Sequence, residues 1–106
     1  MRMWMVDPRK MCDQHLLGEH VEIHMLAGTL RRKKSVAGFI TGGLIEIHNM
    51  ESRHSELVIE MTRRGMNHKS PLPKVDIYKS GKVNRRANLV EMARRCKDCR
   101  AMQKPA

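Results

Sequence analysis

The strongest constraint on the fold is a stripe of apolar residues, Cys12, Leu16, Ile23, Leu26, Ala27 and Leu30, recurring at spacings of three, four and seven. That is the period of one face of an α-helix, and it rules out a strand over the same stretch. Asp7-Pro8 reads as the start of this helix, because Asp can cap free N–H groups and Pro at the first helical position has none to satisfy. The expected first helix runs from about Pro8 to Lys34, weakened at Gly18 and Gly28 by up to about 1 kcal/mol each relative to Ala. AGFITGGLIEIHN then reads as a glycine-rich connection with one irregular or extended segment. Asn49 is positioned to cap a second helix of about Met50 to Arg64, with Leu57, Val58 and Met61 inward and Gly65 as its stop. Met66 to Lys82 carries Pro71 and Pro73 without helical period and predicts a basic surface loop. A third helix is expected over Asn84 to Met102, with Ala87, Val90, Ala93 and Cys96 on its inner face. The expected architecture is all-α: one domain over residues 1–106, of about three helices joined by long basic loops.

What fills the core is unusual. Only 3% of the residues are aromatic while ten are Met, so flexible thioethers replace rings and the core is expected to be adaptable and of modest stability. Lys and Arg number 21 against 11 Asp and Glu, a formal net charge of +10, and on so small a domain that field selects a polyanion, nucleic acid first. No apolar run reaches the roughly 18–20 residues of a membrane span. Three cysteines, Cys12, Cys96 and Cys99, leave one unpaired in any disulfide scheme, which suits a reducing compartment. A soluble monomer is expected, cytoplasmic and nucleoid-associated in a bacterial or viral setting, or nuclear.

On the first helix His15, Glu19 and Glu22 fall at i, i+4 and i+7, in one row beside the apolar stripe. Taken alone, that is an ordinary solvated flank. The segment DQHLLGEHVEI, Asp13 to Ile23, however, resembles the DQHL-x-x-E-x-x-E block of the pyrimidine-dimer DNA glycosylases, the phage endonuclease V family distinct from the deoxyinosine-specific enzyme of that name. The match runs without a gap back to Met1 and reappears in SELVIEMTRRGM, Ser55 to Met66, which is similar to the family's second long helix and glycine stop.

The resemblance implies a DNA N-glycosylase with abasic-site lyase activity, acting by β-elimination and needing neither metal nor organic cofactor. Its implied partner is duplex DNA carrying a lesion, a cyclobutane pyrimidine dimer or an abasic site, kinked so that a nucleotide is extruded. In the family the nucleophile is an α-amine, which on this register is that of Met1. Arg2 is expected to block aminopeptidase removal of Met1. An unperturbed α-amine has a pKa of about 7.7–8.0, so a useful neutral fraction exists near neutrality, unlike a lysine at about 10.4. Glu22 matches the essential glutamate, implied to stabilise charge at the sugar C1′ and to move protons. Arg2 and His15 match residues that hold the backbone or orient the lesion. Glu19 also matches and joins the DNA-contact candidates, although a helix carboxylate with a purely structural task is its ordinary reading.

The chain departs from the family pattern where arginines flank the essential glutamate: Val21 and Met25 stand there. The aromatic-rich C-terminal segment of the phage enzyme is also missing, Tyr78 being the one Tyr. Outside the motif, RRKK (with Arg31 and Arg32), Arg63-Arg64, Arg85-Arg86 and RRCK (Arg94 to Lys97) read as phosphate contacts on a duplex, since no aromatics interleave them. Trp4 reads as packing the N-terminal arm, with a wedge into DNA as the alternative.

Two further readings compete with the enzyme: a basic DNA- or RNA-binding module without catalysis, and a zinc-stabilised interaction domain. Cys12-x2-His15 and Cys96-x2-Cys99 supply a Cys3His set that suffices for zinc. Against it, both pairs are expected inside helices, and a metal there takes His15 from the catalytic face.

Overall fold

The computed structural model describes residues 1–68 and 70–104; Lys69, within the expected basic loop, and residues 105–106 lie outside the described residues. Among the described residues five α-helices form: α1 (Asp13–Arg31), α2 (Ala37–Thr41), α3 (Met50–Arg63), α4 (Arg85–Arg95) and α5 (Lys97–Gln103). Among the described residues there is no strand, so the all-α expectation holds, with five helices where about three were expected. The molecule measures 43 × 30 × 17 Å, and its thin dimension is under two helix diameters.

The first helix starts later than the Asp7-Pro8 signal implies. Asp7 does cap, its side chain accepting from the Arg9 amide, but the product is a single 3-10 turn over Pro8–Lys10. The chain then extends through the fully buried Met11, and α1 begins beyond Cys12, whose sulfur accepts from the His15 amide. A local cap selects where a helix can begin; burial of Met11 between the two turns decides where the long one does.

The α1 stripe is inward as expected: Cys12, Leu16, Ile23, Leu26 and Ala27 are buried and Leu30 partly so. Facing it, α3 contributes Met50, Leu57 and Met61, and burying each such side chain stabilises the fold by roughly 1.5–3 kcal/mol. Gly65, with φ at +81°, ends α3 in the left-handed conformation that glycine takes without a Cβ clash. Asn49 precedes α3 but does not cap it with its side chain, which instead donates to Glu46 Oε1 at 2.7 Å.

The expected third helix is two. Cys96 is extended, at φ −124° and ψ 114°, and its sulfur accepts from the Cys99 amide as the cap of α5. The inner face of α4 is also not the apolar one expected: Asn88 and Met92 are buried, whereas Val90 is 64% exposed. The reason is polar. Asn88 Nδ2 donates to the Trp4 carbonyl at 2.9 Å and its Oδ1 accepts from Arg2 at 2.8 Å, so α4 rotates to meet the N-terminal arm.

That arm, Met3 to Val6, is buried throughout. Met3 donates to the Leu44 carbonyl at 2.7 Å, and Met5 takes φ +59°, a left-handed residue that turns the arm over α1. Trp4 is packed, with 8% exposure, and the Arg2 guanidinium stacks 3.7 Å from its ring centre, a cation–π contact.

Candidate functional site

The arm carries the first residue to α1. The Met1 amine lies 3.5 Å from Glu22 Oε2, and the same oxygen accepts the Arg2 amide at 2.9 Å. Glu22 stays about one-third exposed while the Met1 side chain is buried, so the pair sits at a surface. A cleft of about 260 Å³ opens beside it, lined by Arg2, Trp4, Gln14, His15, Gly18, Glu19 and Glu22. Four of the residues proposed from the motif thus converge on one cleft: Arg2, His15, Glu19 and Glu22.

Their surroundings differ sharply. Both Glu19 oxygens accept from Arg53, at 2.6 and 2.9 Å, and both side chains are almost fully buried. Arg53 also donates to the Val6 carbonyl at 2.7 Å, fixing the arm's exit. Glu19 therefore works inside the protein, not as a free group for a DNA strand. His15 turns Nδ1 inward, 3.3 Å from the Cys12 sulfur and 3.4 Å from that of Cys99, with its ring edge-on to Trp4.

The remaining basic candidates lie elsewhere. Arg31 and Arg32 are exposed at the end of α1, where Arg31, Lys33, Lys34 and Lys74 help line a groove of about 520 Å³. Arg31 lies nine positions beyond Glu22, about 13 Å along a helix and half a turn around it, so the groove is distinct from the cleft. Arg86 is exposed, whereas Arg85 pairs with the buried Glu46 at 3.2 Å. Arg64 is not the surface phosphate contact its sequence setting suggests: it ties α3 to the Pro8 and Met11 carbonyls at 3.1 and 2.7 Å. Leu17, Val21 and Met25 form an exposed apolar row on α1, and two of them, Val21 and Met25, stand where the family pattern has arginine.

Two convergent donor sets stand apart from the amine. In one, Cys12, His15, Cys96 and Cys99 bring their ligand atoms within 4.8 Å of one another; in the other, His20, His24, His54 and His68 do the same. The objection that the cysteine pairs lie inside helices is overturned, because Cys12 and Cys96 each cap a helix whose third residue is the partner ligand. The histidine set was not singled out in the sequence; His20 and His24 at i, i+4 were its visible half. Burial, with the neighbouring imidazoles, pushes His20 down to about 4 and lowers His24 and His54 as well.

These features define a small, basic, all-helical domain with an amine and a carboxylate paired at a cleft. Residues 1–74 match the family model of the pyrimidine dimer DNA glycosylases, and the chain belongs to that family. It is a DNA repair glycosylase with DNA as its partner. No curated protein and no solved structure matches it. Among the described residues no helix is long and apolar enough to cross a membrane.

Proposed function

We propose that the protein excises damaged bases from duplex DNA and nicks the resulting abasic site, with the Met1 amine as nucleophile and Glu22 as its acid/base partner. The substrate class is a pyrimidine dimer or an abasic site. The observation that carries this reading is the 3.5 Å separation of the Met1 nitrogen and Glu22 Oε2 at the mouth of the cleft.

In this scheme the neutral amine attacks C1′, the glycosidic bond breaks, and the sugar ring opens to an imine between Met1 and C1′. Glu22 stabilises the positive charge that develops at the sugar and shuttles protons. Loss of a C2′ proton expels the 3′-phosphate, cutting the strand, and water then hydrolyses the imine to release the amine. Since C1′ is hidden in the duplex, extrusion of a nucleotide precedes the chemistry. Arg2, held by Asn88 and Trp4, edges the cleft as a fixed cation for the DNA backbone, and Arg31, Arg32 and Arg86 supply exposed phosphate contacts.

The test is borohydride trapping on an abasic duplex, with and without one extra residue placed before Met1. A covalent adduct on the native protein that the extension abolishes, with salt-sensitive binding retained, is the expected result. An adduct of equal yield on the extended protein assigns the nucleophile to a lysine. Binding without any adduct leaves a DNA-binding module without catalysis.

A further inference from the structure

The two donor sets outside the amine–carboxylate pair have the dimensions of metal sites, and we propose that the protein binds two structural zinc ions, one at Cys12/His15/Cys96/Cys99 and one at His20/His24/His54/His68. Neither assignment depends on the proposed reaction.

Tetrahedral zinc with Zn–S of about 2.3 Å and Zn–N of about 2.0–2.1 Å requires edges of about 3.8 Å between sulfurs, 3.5 Å between sulfur and nitrogen, and 3.3 Å between nitrogens. In the first set the Cys12 and Cys96 sulfurs are 3.8 Å apart, nearly twice the disulfide bond length of about 2.05 Å. His15 Nδ1 stands 3.3 and 3.4 Å from two of the three sulfurs. Each sulfur also accepts a backbone amide: Cys99 from Cys12 at 3.3 Å, Cys12 from His15 at 3.5 Å and Cys96 from Cys99 at 3.4 Å. Such donors favour the thiolate that a metal requires, and they fix its direction.

In the second set His24 Nε2 and His54 Nε2 are 3.2 Å apart. His20 and His54 are more than nine-tenths buried. The buried Nε2 atoms of His20 and His68 have no hydrogen-bond partner among the described residues. A cation at the centre gives all four nitrogens a partner, whereas protonation adds like charges to a chain already at +10.

Both sets offer four protein ligands, the closed coordination of structural zinc, with no position left for substrate. Their placement fits that task. The first joins α5 to the start of α1 and anchors His15, a wall of the cleft; the second joins α1, α3 and the chain beyond Gly65. A small domain with few aromatics gains from such cross-links what a larger core would otherwise supply.

Untagged protein purified without chelator should carry two zinc ions per chain by mass-spectrometric metal analysis. The double variants Cys96→Ser/Cys99→Ser and His20→Asn/His54→Asn should each retain one. Where a variant does not fold, unmodified protein reconstituted with Co²⁺ gives the second readout: two equivalents bound with tetrahedral absorption, and thiolate-to-cobalt charge transfer from one of them. Protein free of zinc that neither takes up Zn²⁺ nor gains thermal stability from it overturns the proposal. One equivalent with charge transfer overturns the histidine site, one without it overturns the cysteine site, and iron or nickel in place of zinc overturns the choice of metal.

Discussion

Oε2 of Glu22 receives two nitrogens of the same arm, the Met1 amine at 3.5 Å and the Arg2 amide at 2.9 Å. The backbone amide holds the carboxylate in place independently of the amine, so the geometry survives when the amine is consumed by a substrate. Glu22→Gln keeps an oxygen for the Arg2 amide but removes the negative charge. Single-turnover nicking of an abasic duplex is expected to fall by about a hundredfold or more, the scale of general acid–base assistance, with DNA affinity unchanged in a gel-shift titration.

Exposed Arg31 lies in the basic groove at the far end of α1. Replacing it with Ala removes one phosphate contact in the proposed complex. The slope of log affinity against log salt concentration is expected to become shallower by about 0.9, equally for damaged and undamaged duplex. A loss confined to damaged DNA would place Arg31 in lesion recognition instead.

Arg53 and Glu19 are a buried pair satisfied from both sides. Arg53→Met strands the Glu19 carboxylate and frees the Val6 carbonyl, and a destabilisation of about 3–5 kcal/mol is expected in urea unfolding. Adding Glu19→Met removes the stranded charge and is expected to recover a large part of that loss, the signature of coupled residues.

The hydrogen bond from Arg63, aided by Arg64 against the opposing effect of burial, pulls Glu60 down to about 2 from an ordinary 4.5. A folded-state value below the unfolded one means that the unfolded chain takes up the proton first as pH falls. The stabilisation is therefore complete above the unfolded value and is lost as pH drops from about 4.5 to about 2. Melting temperatures of the native protein and Glu60→Gln are expected to differ near neutrality and to converge across that window.

Much of the cleft was legible because it depends on register. An ungapped motif from Met1 to Ile23 fixes which carboxylate the amine meets, and a buried α1 stripe follows from periodicity alone. What escaped are relationships between distant residues. Nothing local tells Arg53 from Arg63, since Arg53 is internal only because Glu19 sits opposite it, 34 positions away. The break at Cys96 escaped for a similar reason: RRCKDCR carries no Gly or Pro to mark an interruption, yet the chain extends there so that sulfur caps the next turn beside Cys12. Val90 looked internal by pattern, and a polar arm turned Asn88 inward in its place.

Asn88 grips the backbone of Trp4 and the side chain of Arg2, yet it lies past residue 74, where the family match ends. A fragment trimmed to the matched portion would keep each group assigned to chemistry and still lose the clasp that aims the first nitrogen. Minimal versions of this protein therefore need the tail, because aim is supplied by the third of the molecule that lies outside the family match.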